Sequence, residues 1–391
     1  MPRSRSTVTA LVLCWVLALI LVTGLGYIAL GGSAGARERQ GAEGLLVTQP
    51  APPANLAGTP TPVLAPDDDT GNAPSADGLR AVLGPRVADP RLGEAAVSVV
   101  DAETGDSVFA QRDSVLVGPA STAKLVTATA VLASYGPYHR FSTRVVAGPA
   151  PGEIVLIGGG DPTLAVGPKV TYPGAARLDV LAAAVRKTLG DTKVTKVVVD
   201  SSLFTGPDTG PGWDADIVSG GFAAPVNALT VNGGRTTPNT EARSERTPTP
   251  DLFAGQAFAR LLGAEGATVD RGTAPAGAAL LGRLDSPPLI HIVEQMLQQS
   301  DNVIAESMAR QVAVAKKQPA TFTGAANAIR GVLTDLGLEP ANDRLVDGSG
   351  LSRQNLVTTS LLTGVLALAA GPHQPGLRGV LSGLPVAASR Q

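Results

Sequence analysis

The chain has 391 residues, of which 44% are apolar and 16% are charged, and its formal net charge is −2. This length and apolar content suffice for a large buried core, and the near-neutral charge without a basic cluster predicts that nucleic acid is not a partner. The single cysteine, Cys14, excludes disulfides within the chain, and the three histidines lack the spacing of metal ligands. A zinc hydrolase is therefore not expected.

The N-terminal residues predict export. Arg3 and Arg5 precede an uncharged stretch, residues 7–30, that is long enough to cross a bilayer as a helix with the positive residues inside. Small residues at 34–36 also suit signal-peptide cleavage. Residues 1–36 are thus predicted to be a signal anchor, which gives a cell-membrane protein with a single N-terminal pass, or a signal peptide, which gives a secreted one. The proline- and alanine-rich residues 37–78 are predicted to form an extended extracytoplasmic linker.

Folded sequence begins near Leu79, and its apolar patterns predict both strands and helices. The predicted strands are 95–101, 107–111, 142–147, 153–157, 194–200 and 226–234. The predicted helices, beyond the one discussed next, are 178–189, 251–262, 289–314, 322–336 and 358–368. Most of the predicted strands come early in the chain, and helices dominate its later part.

The segment Ser121-Thr122-Ala123-Lys124 places a serine and a lysine three positions apart. A serine hydroxyl needs an adjacent proton acceptor to become a nucleophile, and residues i and i+3 of a helix share a face. Pro119 suits a first helical turn, and apolar residues recur at helical spacing until Gly136. Ser121 is therefore predicted at a helix N-terminus, where backbone N–H groups stabilise negative charge, with Lys124 as its base.

A second candidate element, Ser300-Asp301-Asn302, interrupts the amphipathic run 289–314. Ser300 can relay a proton between Lys124 and a leaving amine, and the Asn302 amide can both donate to and accept from a substrate peptide bond. The same triplet also fits a plain helix cap, so the residues by themselves leave both interpretations open.

Six motifs follow one another along the chain, at 119–124, 158–164, 211–213, 224–234, 300–302 and 347–353. Between about residues 79 and 387 their order and content resemble the class C low-molecular-mass penicillin-binding proteins, which are D-alanyl-D-alanine carboxypeptidase/endopeptidases. The resemblance implies an α/β (α+β) fold with a penicillin-binding-protein/β-lactamase-like transpeptidase domain. It also implies an exported serine peptidase that needs no metal or organic cofactor.

The resemblance assigns roles to residues as well. Ser121 would attack the carbonyl between the two terminal D-alanines of a peptidoglycan stem peptide, and water would hydrolyse the acyl-enzyme. Lys124 would deprotonate Ser121, Ser300 would shuttle the proton, and Asn302 would orient the substrate. β-Lactam antibiotics are expected to acylate the same serine.

The family carries a module inserted between its first two catalytic motifs, which predicts an inserted module at 161–284 and a split peptidase domain at 79–160 and 285–391. Its third motif, Lys-Thr-Gly or a close variant, does not occur in these residues. We therefore expect a C-terminally truncated peptidase domain. Loss of one oxyanion donor costs about 100- to 1000-fold in rate, which puts activity in question.

Two further interpretations compete with the peptidase. An impaired homologue that only binds peptidoglycan, or acts as a wall scaffold, accounts for the absent third motif. A serine β-lactamase shares the nucleophile but fits less well with the long insert. A Ser-His-Asp hydrolase is disfavoured because the histidines have no suitable partners.

Overall fold

The computed structural model describes residues 46–47, 74–238, 243–340 and 342–386. The chain divides into one unit up to Leu46 and a second from Val47 onward, and the fold described below belongs to the second. The predicted membrane segment 7–30 and most of the predicted linker lie outside the described residues. Among the helices that are described, none combines the length and the apolar content needed to span a bilayer.

Helices make up most of the later part of the chain. The described α-helices are α1 (Ala76–Val87), α2 (Ala123–Tyr135), α3 (Leu178–Leu189), α4 (Pro250–Leu261), α5 (Leu289–Gln298), α6 (Asn302–Ala315), α7 (Phe322–Asp335), α8 (Thr359–Ala370) and α9 (Gly379–Ser382). Short 3-10 turns occur at Pro90–Leu92, Ala120–Thr122, Asn232–Gly234 and Pro375–Leu377.

The strands are Leu46–Val47, β1 (Val97–Val100), β2 (Ser107–Gln111), β3 (Ser142–Ala147), β4 (Glu153–Ile157), β5 (Lys196–Asp200), β6 (Thr268–Arg271) and β7 (Leu280–Asp285). Strands β1 and β2 form an antiparallel hairpin. The main sheet places β7, β3, β4, β5 and β6 side by side in that order. Strand β3 is antiparallel to β7 and β4, whereas β4, β5 and β6 run parallel.

The two largest of four apolar clusters in the described residues hold these layers together. One face of the sheet packs against α3 and α4, and Val145, Leu156, Leu181 and Phe258 are fully buried in that core. A larger and mainly helical core surrounds α2 and α6 and continues into α5, α7 and α8. Helix α2 is rich in buried alanine, threonine and valine, and it packs directly against α6. This close packing of α2 and α6 brings the Ser121 and Asn302 segments together.

Most of the predicted elements are confirmed. Strands 107–111, 142–147 and 153–157 and helix 178–189 have the predicted bounds, and α2 ends at Tyr135 with Gly136 as its cap. The predicted helix 289–314 is two helices, α5 and α6, which break at the Ser300 triplet.

The predicted strand 226–234 is wrong. The Asn227 side chain accepts a hydrogen bond from the Leu229 backbone, and Gly233 and Gly234 adopt positive φ angles of 62° and 80°. These local turns use backbone groups that a strand would present to a neighbour. The apolar residues of this segment are buried as a coiled loop instead.

The predicted boundary between the peptidase part and the inserted module falls between β4 and β5. These strands are parallel neighbours in the same sheet, with Val155 opposite Val198. Residues assigned to both parts therefore share one sheet, and the division at 160/161 stays a prediction.

Candidate active site

Ser121 lies in the 3-10 turn Ala120–Thr122, which leads directly into α2. The turn is unusual because Ala120 has a φ of 44°, in the left-handed region that disfavours residues with a side chain. Gly350 packs against it so closely that a Cβ at Gly350 would overlap the Ala120 carbonyl oxygen. Gly350 itself has a φ of 85°. Close contact between these two turns places the exposed Ser121 side chain at the start of the helix.

Lys124 lies one turn further along and is 1% exposed. Its ammonium nitrogen Nζ is 3.1 Å from Ser121 Oγ, 2.7 Å from Asn302 Oδ1 and 2.8 Å from the Ser349 carbonyl oxygen. An ammonium group has three N–H donors, so these three acceptors saturate it. The lysine therefore joins segments that are 178 and 225 residues away in sequence.

Burial lowers the pKa of Lys124 from 10.5 to about 8, while the carboxylates of Glu306 and Asp301 act in the opposite direction. Desolvation destabilises the charged ammonium relative to the neutral amine. An amine with a pKa near 8 is partly neutral at physiological pH, and a neutral amine can accept the serine proton.

The Ser349 carbonyl owes its position to a buried carboxylate. Glu306, on α6, accepts hydrogen bonds from the backbone N–H of Gly348 and of Ser349, at 3.0 and 2.8 Å. Thr127, on α2, donates to the Gly348 carbonyl at 2.7 Å. Burial, together with the charge of the nearby Asp347, raises the pKa of Glu306 to about 8. The loop is thus held between the two helices that also carry Lys124 and Asn302.

Asp347 supports the same loop from its other side. Its carboxylate accepts from the Gly350 and Ser352 backbone N–H groups at 2.9 and 2.7 Å. It also accepts from Asn355 Nδ2 at 2.7 Å and from Trp213 Nε1 at 2.9 Å. The motif at 347–353 is therefore a turn that its own aspartate stabilises, and this turn positions the Ser349 carbonyl beside Lys124.

The Ser300 triplet breaks the chain between α5 and α6. Ser300 has a φ of 51°, and the residue that caps α6 is Asp301, which accepts from the N–H groups of Val303 and Ile304. The other carboxylate oxygen of Asp301 accepts from Tyr172 Oη at 2.8 Å and lies 3.3 Å from Arg235 Nη2. Both members of the Arg235–Asp301 ion pair have side chains only 2% exposed.

A cavity of about 340 Å³ adjoins these residues, and Ser121, Ser300 and Asn302 all line it. Its wall also includes Arg235, Arg246 and Arg243. The wall is therefore cationic on the side of the Ser300 triplet.

Two of these arginines have defined contacts beside the cavity. The Arg246 side chain is buried and donates to the Gly233 carbonyl at 2.6 Å. The Arg243 guanidinium lies 4.3 Å from the centre of the Phe222 ring, and the Phe222 carbonyl accepts from Asn302 Nδ2 at 3.0 Å. Phe222 thus connects an exposed guanidinium to the amide that contacts Lys124.

The structure brings Ser121, Lys124 and Asn302 into direct hydrogen-bond contact and places Ser300 on the same cavity. The three acceptors of Lys124 do not include Ser300, so the relay role of Ser300 stays a prediction. Sequence reasoning missed the Ser349 carbonyl, Glu306 and the arginine wall. Only the Ser349 carbonyl had a signal in the sequence: the glycines at 348 and 350 indicated a tight turn there.

Residues 79–248 and 237–390 match the D-Ala-D-Ala carboxypeptidase 3 (S13) family. A carboxypeptidase of Mycobacterium tuberculosis, Rv3627c, is 43% identical over 343 residues, which cover 86% of this chain and 73% of that protein. Carboxypeptidase DacB of Mycolicibacterium smegmatis is 39% identical over 341 residues, covering 86% of this chain and 74% of that one. The chain therefore belongs to the D-Ala-D-Ala carboxypeptidase 3 (S13) family.

The fold agrees with this assignment. Penicillin-binding protein 4 (dacB) of Haemophilus influenzae superposes with a TM-score of 0.61 at 21% identity, over 75% of this chain and 78% of that one. A second structure of that protein, in complex with a novel β-lactam, gives a TM-score of 0.56 at 20% identity and covers 77% of this chain and 80% of that one. The predicted penicillin-binding-protein fold is confirmed.

The buried Arg235–Asp301 pair gives a stability prediction. Asp301→Ala removes the α6 cap and leaves a buried guanidinium without its carboxylate, so we expect a loss of about 3–5 kcal/mol in the free energy of unfolding. Urea denaturation of the variant and the wild type measures this loss in the free energy of unfolding. Asp335→Ala, which breaks the exposed pair with Lys316, is the control and should cost at most about 1 kcal/mol. Equal losses in the two variants would contradict a buried ion pair at Asp301.

Proposed function

We propose that this protein is a serine-type D-Ala-D-Ala carboxypeptidase/endopeptidase that acts through an acyl-enzyme on Ser121. The observation that supports this most directly is the 3.1 Å contact between Lys124 Nζ and Ser121 Oγ at the edge of an open cavity. A lysine with a lowered pKa beside a serine at a helix start is an arrangement suited to nucleophilic attack. Membership of the carboxypeptidase family supports the same reaction.

In the proposed reaction, the neutral Lys124 amine accepts the Ser121 hydroxyl proton as Oγ bonds to the carbonyl carbon of the substrate. The backbone N–H of Ser121 stabilises the resulting oxyanion. The C–N bond then breaks, the leaving amine of the terminal D-alanine takes a proton through Ser300, and an ester on Ser121 remains. Water hydrolyses this ester. Asn302 orients the substrate peptide bond while its Oδ1 holds Lys124.

The proposed substrates are peptidoglycan stem peptides, and β-lactams are the proposed acylating inhibitors. The names of the relatives, which are carboxypeptidases, and the β-lactam complex of the Haemophilus influenzae protein support this choice. The arginine wall supports it too, since guanidinium groups beside the nucleophile favour ligands that carry carboxylates.

Acylation of Ser121 tests the proposal. We expect incubation with a penicillin to add the mass of one antibiotic molecule to the intact protein, and the added mass should map to the Ser121 peptide. Ser121→Ala should remain unlabelled while circular dichroism shows it folded. Ser360→Ala, which alters a serine on α8, should label like the wild type. Folded wild-type protein that binds purified peptidoglycan but is never acylated would favour the scaffold alternative.

The lowered pKa of Lys124 predicts the pH dependence of acylation. Because only the neutral amine accepts the proton, the acylation rate should rise about tenfold per pH unit below pH 8 and level off above it. Stopped-flow acylation by a chromogenic β-lactam between pH 6 and 9.5 measures this profile. Lys316→Met, an exposed lysine on the far end of α6, should leave it unchanged. A profile that is flat across this range would contradict Lys124 as the base.

The same shift has a consequence for stability. The folded pKa, about 8, lies below the unfolded value of 10.5, so between these pH values the unfolded state binds more protons. The contribution of Lys124 to the free energy of unfolding therefore increases as pH rises through this window.

We also propose that residues 7–30 anchor the protein in the cell membrane with the folded part outside, or are removed on secretion. Two arginines followed by a long uncharged stretch support this. Expression of the full chain with a C-terminal tag, followed by fractionation and protease treatment of spheroplasts, tests it. The tagged domain should be protease-accessible and either membrane-bound or released into the medium. A tag recovered from the cytosol would contradict the proposal.

A further inference from the structure

A second cavity, of about 600 Å³, lies on the sheet and shares no lining residue with the Ser121 cavity. Its walls come from the segment after α2, from strands β3, β4, β5 and β7, and from the loop at Ala274. Helix α2 separates the two cavities, with Ser121 before its start and His139 and Arg140 after its end. Thirteen helical residues span about 20 Å, so the two cavities are distinct sites.

This cavity lies on the face of the sheet that α3 and α4 leave uncovered. Along β3, Val145 points into the core with those helices, so its neighbour Arg144 points to the opposite face. Arg144 is the register partner of Arg283 on β7. Both guanidinium groups therefore project from the same face of the sheet, on residues that lie side by side on adjacent strands. Like charges at such paired positions repel.

The arginines around the cavity differ in their partners. Arg283 is paired with Asp285 at 2.9 Å, and Arg140 donates to the Ser286 carbonyl at 2.6 Å. Arg144 has neither an ion pair nor a side-chain hydrogen bond to any residue in the described part of the chain. Asp285 does not line the cavity itself, and the acidic residue on its wall is Asp200.

The Asp200 carboxylate accepts hydrogen bonds from the backbone. Its two carboxylate oxygens accept from the N–H groups of Ser202 and Ala274, at 3.0 and 2.7 Å. Arg144 is close enough to contribute to the lowered pKa of Asp200, but the two do not form a direct ion pair. An exposed, unpaired cation opposite a second cation is thus left facing an open cavity.

The cavity also has an apolar part, formed by Phe141, Ile157 and Leu203. We propose that it binds an anionic group, a carboxylate or a phosphate, borne on a partly apolar chain. Arg144 is the principal cation, and Arg283 and Arg140 assist it. A bound anion would pair with Arg144 and reduce its repulsion with Arg283, and the apolar wall would contact the aliphatic atoms next to the charge.

The site goes beyond the proposed serine chemistry, because its residues do not touch the nucleophile. Its separation from Ser121 suits a polymer that carries repeated negative charges, since one chain can then reach both cavities. Two kinds of wall polymer offer such charges: peptides through their carboxylates, and phosphodiester polymers through their phosphates. Attachment at a second point would raise the local concentration of substrate at Ser121.

Titration calorimetry at low ionic strength tests the site with inorganic phosphate as the probe. Arg144→Gln should weaken phosphate binding at least tenfold relative to the wild type, since a charge-assisted contact is lost. Arg86→Gln, which alters an exposed arginine on α1, is the matched control and should bind within twofold of the wild type. Thermal unfolding without phosphate checks the fold: Arg144→Gln should keep the wild-type melting temperature within about 2 °C, because the repulsion from Arg283 and the attraction of Asp200 are lost together.

Two further titrations distinguish the sources of the anion, both in a Ser121→Ala background that prevents turnover. A stem peptide with free carboxylates is compared with its amidated form, and a glycerol-phosphate polymer is tested beside them. If the free peptide binds more tightly than the amidated one, and Arg144→Gln abolishes the difference, the site binds carboxylates. If the polymer binds and Arg144→Gln weakens that binding, the site binds phosphates. Identical affinities for all probes in the wild type, Arg144→Gln and Arg86→Gln would overturn the proposal.

Discussion

The buried Lys124 ammonium is the interaction on which the rest of the site depends. Taking a lysine out of water is costly, and that cost is offset only when each N–H donor has an acceptor. Here the acceptors come from three segments: the Ser121 turn, the start of α6 and the 347–350 loop. A displacement of any one would leave a buried donor unsatisfied, so the lysine holds the three segments in register.

Two buried carboxylates make this convergence possible. Asp301 caps α6 and, with Arg235 and Tyr172, fixes where the helix carrying Asn302 begins. Glu306, one turn further along α6, holds the loop that presents the Ser349 carbonyl. Both carboxyl groups also lie near Lys124, and when they are ionised they oppose the burial that lowers its pKa. The same groups thus stabilise the fold and act on the pKa of Lys124.

Local patterns predicted the elements best where a segment was amphipathic or bounded by turn residues. Helix α3 has the expected bounds because it buries one face and ends at Gly190. Strand β4 has them because it is a short apolar run, buried on both faces, that ends at Gly158. The strand prediction for 226–234 was wrong because it relied on apolar residues alone. Asn227 and two glycines with positive φ angles form turns there instead. Residues that are distant in sequence bury this loop although it pairs with no strand. The local pattern of apolar residues does not show whether a buried segment is a strand or a loop.

The sequence by itself determined that Lys124 lies beside Ser121, because a spacing of three residues at the start of a helix sets a local distance. It also determined the family, through six ordered motifs. Only the tertiary structure decided that the Ser349 carbonyl and Glu306 complete the lysine site, that Asp301 is the residue that caps α6, and that arginines line the cavity. Those contacts join residues far apart in the chain, and their geometry follows from how α2, α6 and the loops pack.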